Sequence, residues 1–284
     1  MKLISFQTRT GDSFGLVDGQ DVYDLGRRLG PECPDLRTAI AQNQLAQFTP
    51  LPGSVAPDHQ LSQLTLLPVI PNPGKIVCVG LNYHAHRLEG GHGEVGDPTL
   101  FLRVAESQVA HGQPMICPKE SDQFDYECEI AVVIGRGGDR ITVADALTHV
   151  AGISAYNDGS VRDWQMATSQ WTAGKNFRAT GAFGPWLVTS DELPPDRVLS
   201  VVTRLNGVEM QRSTTDLLIF SIPRLISYIS AIMPLSPGDV IVTGTPGGVG
   251  FRRTPQVFMH HGDVVEVEVE GVGVLRNTVV KEGA

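Results

Sequence analysis

Positive charge is in short supply in this chain: 22 Lys and Arg stand against 31 Asp and Glu, a formal net charge of −9. Nucleic acid and anionic membrane are disfavoured as partners, because no basic patch is ready to displace counterions. A small anionic substrate is not excluded, since a few local cations or a bound metal outweigh the global sign. Cysteine is also scarce. Cys33, Cys78, Cys117 and Cys128 form no CxxC and sit in separate segments, so free thiols in a reducing cytosol are expected. No apolar run reaches the roughly 18 residues that a membrane span needs. The opening MKLISFQTRTGDSFG lacks the apolar run and small-residue site of a signal peptide. These absences point to a soluble, cytoplasmic protein. Internal repeats and low-complexity segments are missing as well.

What is present is a core. Hydrophobic residues make up 41% of 284, enough to fold without disulfides. Residues 1–20 alternate as short strands with a turn at Thr10-Gly11-Asp12. Residues 21–48 carry Leu25, Leu29, Leu36, Ile40 and Leu45 at loosely helical spacing. Six prolines between 49 and 74 mark a linker, since proline removes backbone donors. We therefore expect residues 1–72 to form a small N-terminal domain with its linker, and residues 73–284 a larger one. Strands are expected over 75–80, 100–104, 125–135, 150–157, 186–188, 201–205 and 240–243. Residues 264–280 form a hairpin turning at Gly271–Gly273. One helix is expected to be capped by Ser160 and to run to about residue 169. Another starts at Ser221-Ile222-Pro223, with Leu225, Ile226, Ile229, Ile232 and Met233 on one face and Pro234 ending it. Few helices among many strands predict a β-rich α+β fold.

The segment DYECEIAVVIG places Asp125, Glu127 and Glu129 on one strand face and Tyr126, Cys128 and Ile130 on the other. Adjacent carboxylates repel. Either that face is solvated or a cation sits there. AVVIG is apolar on both faces, which favours a covered strand. AGISAYNDGS then brings Asp158 to the end of a second strand, where a turn residue or a site residue are both natural readings. Three carboxylates without a Cys ligand suit Mg²⁺ or Mn²⁺, with Ca²⁺ as a third candidate and zinc disfavoured.

GLNYHAHRLEGGHGEVGD holds His84, His86 and Glu89. In a helical turn His86 and Glu89 are i, i+3 neighbours, and a carboxylate beside an imidazole suits a general base. A polar surface loop is the plainer alternative. Residues 91–96 match GxGxxG formally, but Asp97-Pro98 follows instead of a helix, so a dinucleotide site is rejected in favour of a glycine-rich lid. Lys175 lies in GKNFRATGAFGPW, without helical period. Thr245, in TGTPGG, can bind a carboxylate through its hydroxyl and the nearby amides. Trp164, Trp171 and Trp186 are most simply core or interface residues.

In this order the segments VGLNYHAHRLE, DYECEIAVVIG, AYNDGSVRDWQ, GKNF, FGPWLVT, STTDLLIFSIPRLISYIS, PGDVIVTGTPGGVG and GDVVEVEVEGVGVLRN resemble the fumarylacetoacetate hydrolase superfamily, over about residues 75–281. The likeness is to its acylpyruvate hydrolase and 2-hydroxyhepta-2,4-diene-1,7-dioate isomerase branch. The resemblance implies a mixed β-sandwich or β-roll behind a small N-terminal domain, in a homodimer. It makes Glu127, Glu129 and Asp158 the ligands of Mg²⁺ or Mn²⁺. It makes His86 and Glu89 a dyad on a short lid, and Lys175 the site lysine. Arg103, Gln165, Thr245 and Tyr83 become the substrate-binding residues. The chain departs from the pattern at Arg103-Val104, often Lys-Pro; at Lys175-Asn176-Phe177-Arg178, often Lys-Ser-Phe-Asp; and at Gly159, usually apolar.

The resemblance also implies a reaction. A small anionic 2-oxo acid with a second carbonyl at C4 chelates the metal, His86 deprotonates a water, and the C3–C4 bond breaks to release an enolate. Lys175 assists the developing oxyanion. The same enolate chemistry serves a decarboxylase, isomerase or hydratase of 2-oxo acids in aromatic-compound catabolism. A non-catalytic member of the family is a more distant reading.

Overall fold

The computed structural model describes residues 1–48, 53–91, 93 and 96–284. Among these, twelve strands form one sheet, mostly antiparallel. Its main path runs His59–Gln60, Asp21–Asp24, Gly11–Asp18, Lys2–Thr8, Gly181–Thr189, Val150–Asn157, Cys128–Ile134, Val240–Val242, Ile76–Gly80 and Thr99–Arg103. Lys2 and Leu3 pair with Val188 and Leu187, so the sheet runs through chain on both sides of residue 72. A second sheet of five strands is ordered Val208–Thr214, Ser200–Leu205, Val264–Val269, Gly273–Lys281 and Met115–Cys117. The expected C-terminal hairpin is there, with Val264 opposite Thr278 and Val269 opposite Gly273. The β-rich α+β reading holds.

Alternation explains how the central strand is held. Cys128, Ile130, Val132 and Ile134 join a core shared with the five-stranded sheet and with Leu225, Ile226 and Ile229 of the helix Ile222–Ile232. Ala131 and Val133 face the opposite core, which also takes Leu3, Leu36 and Ile40 from the N-terminal segment. The strand is thus covered on both sides. Ile232, expected on the buried helix face, lies exposed at the helix end.

Two elements differ from expectation. Residues 125–135 are not one strand. Phe124–Asp125 pairs with Ser160–Val161, the strand is interrupted at Tyr126 and Glu127, and Cys128–Ile134 begins a new strand. The break takes Asp125 off the strand that carries Glu129, and Asp125 meets Glu127 only through Arg162, outside the carboxylate cluster. Ser160 caps no helix. It lies in that short strand, its hydroxyl donates to the Asp158 carbonyl, and the helix spans only Arg162–Met166.

Candidate metal centre and cleft

Glu127, Glu129 and Asp158 converge because adjacent strands bring them together. Cys128 pairs with Asn157 and Glu129 with Tyr156. The Asp158 amide donates to the Glu127 carbonyl at 3.0 Å, and the Asn157 side chain accepts from the Glu127 amide at 3.1 Å. One carboxylate oxygen from each of the three residues lies within 4.8 Å of the others, and all three side chains are buried.

Such a cluster cannot stand uncompensated. Lys175 Nζ lies between two of its members, 2.8 Å from Glu127 Oε2 and 2.6 Å from Asp158 Oδ2. It is buried at the end of the short helix Thr172–Lys175, although the sequence around it shows no helical period. Arg162 places Nη2 2.7 Å from Glu127 Oε1 and 2.8 Å from Asp125, and donates from Nη1 to Gln165 Oε1 at 2.8 Å. Arg103 clamps Asp158 Oδ1 and donates to the Gly159 carbonyl and the Thr180 hydroxyl.

The two glutamates therefore titrate in opposite directions. Burial alone would push Glu127 up, but Lys175 and then Arg162 outweigh it and hold its carboxyl at about 2. Burial raises Glu129 well above the usual carboxylate range, and the charges of Asp158 and Glu127 add to that rise. Glu129 accepts a hydrogen bond from the Gly244 amide. That contact needs glycine: φ is +101° at Gly244, and a Cβ there would lie 2.7 Å from Asn82 Cβ.

The donor set fits a hard divalent cation. It offers three buried carboxylates with no sulfur, one of them pushed toward its protonated form by burial and by the two acidic neighbours. Glu127 and Glu129 open onto a cleft lined also by His86, Phe101, Gln165, Trp171, Lys175, Thr245 and Arg252. His86 and Glu89 share the helix His84–Glu89, with Nδ1 3.7 Å from Glu89 Oε2. That distance is too long for a hydrogen bond, and among the described residues His86 Nδ1 has no hydrogen-bond partner. Both Glu89 oxygens accept from the Gly248 amide. Burial opposes the charge on Glu89, but His86 and that amide hold its carboxyl below the usual range.

Not every expected substrate contact lines the cleft. Gln165 and Thr245 do. Arg103 is buried behind Asp158, and Tyr83 is buried with its backbone bridged to Leu218. The expected lid falls partly outside the described residues, at His92, Glu94 and Val95. Arg162, Asn82 and Gln211 were not singled out from the sequence. Gln211 donates to Thr245 Oγ1 at 2.9 Å and accepts from the Cys128 amide and the Thr203 hydroxyl. Arg162, four residues beyond Asp158, carried a local signal. Gln211 did not, since its partners are far away in sequence.

Residues 75–280 match the fumarylacetoacetate (FAA) hydrolase C-terminal family model, and the chain belongs to that family. It is 41% identical over 289 aligned residues to human mitochondrial oxaloacetate tautomerase FAHD2A, covering 99% of this chain and 92% of the relative. It is 29% identical to the 2-hydroxyhepta-2,4-diene-1,7-dioate isomerase of Mycobacterium marinum, with a TM-score of 0.78 and full coverage of both chains. The maleylpyruvate hydrolase of Sphingobium sp. SYK-6, solved with manganese(II) and pyruvate, is 27% identical with a TM-score of 0.82, covering 99% of each chain. Among the described residues no helix is long and apolar enough to cross a membrane.

Proposed function

We propose that this protein is a Mg²⁺- or Mn²⁺-dependent enzyme that moves a proton at C3 of a 2-oxo acid, interconverting its keto and enol forms. The observation that carries the reading is the buried convergence of Glu127, Glu129 and Asp158, two of which, Glu127 and Glu129, line a cleft that also presents His86. The relatives named as oxaloacetate tautomerases support this reaction over hydrolysis.

A divalent ion held by the three carboxylates would supply a Lewis acid that makes C3 acidic and stabilises the enolate. The protein supplies the rest. His86 takes the proton from C3 and delivers it to the C2 oxygen of the enolate to give the enol, and runs the same transfer backwards to the keto form, with its ring turned by Glu89, which the Gly248 amide fixes in place. Thr245 accepts from Gln211, so its own hydroxyl proton is free for the substrate carboxylate. Lys175, held between Glu127 and Asp158 on the wall of the same cleft, would present its ammonium to the substrate oxygen. Gln165 borders the same space. Arg103 orients Asp158 and acts through it.

Hydrolysis of a C–C bond in a 2,4-dioxo acid is the second reading. It shares the enolate and needs His86 to activate a water instead. The likeness to maleylpyruvate hydrolase favours it. The test is a panel: metal-loaded protein with oxaloacetate, acylpyruvates and unsaturated 2-oxo acids, followed by NMR. Tautomerisation predicts enol–keto exchange without new carbon fragments, whereas appearance of pyruvate from acylpyruvates would establish hydrolysis.

A homodimer belongs to the same proposal. Exposed Leu102 on the edge strand Thr99–Arg103, with Val104, Trp164 and Met166, offers it an apolar face. The four free, buried cysteines support a reducing compartment, either the cytoplasm or, as the human relative's name has it, the mitochondrion.

A further inference from the structure

Four residues lining the cleft can carry positive charge: His86, Arg162, Lys175 and Arg252. Three are engaged. Arg162 is paired with Asp125 and Glu127, Lys175 with Glu127 and Asp158, and His86 stands beside Glu89. Arg252 is different. Among the described residues its exposed guanidinium meets no carboxylate and makes no hydrogen bond. Its one contact is with the neighbouring Phe251 ring, 4.9 Å from Cζ to the centroid.

The backbone under Arg252 is nonetheless fixed. The turn Gly250–Arg252 is anchored by Asp125, whose two oxygens accept from the Gly250 amide at 2.8 Å and the Phe251 amide at 2.9 Å. Asp125 is gripped in turn by Arg162, which also holds Glu127. A chain of charged contacts therefore ties the base of a free guanidinium to the carboxylate cluster. No space is left at such an anchor for a Cβ on Gly250, which would lie 2.7 Å from Asp125 Oδ1.

We infer that Arg252 is a specificity-determining residue that binds a second, distal carboxylate of the substrate, so that the enzyme takes 2-oxo dicarboxylic acids in preference to 2-oxo monocarboxylic acids. A planar guanidinium matches a carboxylate bidentately, and at a cleft mouth the pair is partly shielded from water. The other cations of the cleft are already assigned: Arg162 is held by Asp125 and Glu127, and Lys175 and His86 serve the 2-oxo acid end beside the carboxylate cluster. The inference rests on the reading that the 2-oxo acid end of the substrate binds at Glu127, Glu129 and Asp158.

The test compares acids of equal chain length. Mn²⁺-loaded full-length protein is titrated calorimetrically with 2-oxoglutarate against 2-oxopentanoate, and with oxaloacetate against 2-oxobutanoate. The wild type is expected to prefer at least one dicarboxylate by about tenfold or more. Arg252→Ala should collapse that preference, Arg252→Lys should retain part of it, and Arg252→Glu should reverse it. Thermal unfolding of each variant checks that the turn is intact. Mn²⁺-dependent binding of both acid classes with a preference that ignores Arg252, or with none at all, overturns this inference and leaves the 2-oxo acid reading standing. Failure of every acid to bind in a Mn²⁺-dependent way overturns both.

Discussion

Glu129 shows what a single residue contributes here. Its carboxyl is raised well above the usual range, so without metal the folded protein keeps a proton there at a pH where the unfolded chain has already released it. The stability this gives is fully present below the unfolded carboxylate pKa. It is lost as pH rises toward the folded value. Metal-free Glu129→Gln, which mimics the protonated form, should match the wild-type Tm near pH 4 and exceed it near pH 8. A constant offset between the two curves would contradict this assignment. Lys175 carries the complementary charge. Lys175→Met leaves Glu127 and Asp158 facing each other in a buried site, and should destabilise the metal-free protein by about 3–5 kcal/mol. Mn²⁺ should restore much of that loss, and calorimetric melts with and without the ion decide it. His86→Ala should keep Mn²⁺ affinity while slowing turnover by about 10²–10⁴; unchanged turnover would remove His86 from the mechanism.

At the scale of elements, the site hangs on loops that are stapled rather than on long helices. Asn82 is fully buried. It donates to the Thr243 and Phe220 carbonyls and accepts from the Phe220 amide. It thereby joins the turn before His86 to the strand end carrying Gly244 and Thr245. Asn82→Ala strands these buried groups and should cost about 1–3 kcal/mol for each one left without a partner. It should also raise KM, because Gly244 and Thr245 shift together; urea melts and steady-state kinetics read the two effects. This scale also shows what the sequence makes legible. The alternation of Cys128–Ile134 and the C-terminal hairpin were readable, because period two is a local property. The break at Tyr126 and Glu127 was not. It arises from Asp125 bonding to amides more than a hundred residues away. The compensation of the carboxylates escaped for the same reason. Arg103, Arg162 and Lys175 reach Asp158 and Glu127 from three separate segments, so Arg103 reads as a substrate contact until the fold shows what it clamps.

At the scale of the molecule, the N-terminal segment is more than an appendage. Strand Lys2–Thr8 pairs with Gly181–Thr189, and Leu3, Leu36 and Ile40 share a core with Ala131, Val133, Tyr156 and Val240. We propose residue 72 as a boundary of topology rather than of cooperativity. Thermal or urea unfolding should therefore show one transition. A chain beginning at residue 73 should be strongly destabilised, because that shared core would face water. Two separated transitions would instead mark independently folding halves. The family likeness was legible across most of this architecture because its motifs keep their order from residue 75 to 280. The substrate was not, because it is read by single side chains around the cleft.

The central claim is that Glu127, Glu129 and Asp158 hold a divalent ion on which C3 proton transfer depends. It is tested most directly by following deuterium exchange at C3 of oxaloacetate by NMR in D₂O. Chelated protein should show only the background rate, one equivalent of Mn²⁺ per chain should restore fast exchange, and Glu127→Ala should stay at background with Mn²⁺ present. Exchange that persists after full chelation, or in Glu127→Ala, would contradict the account.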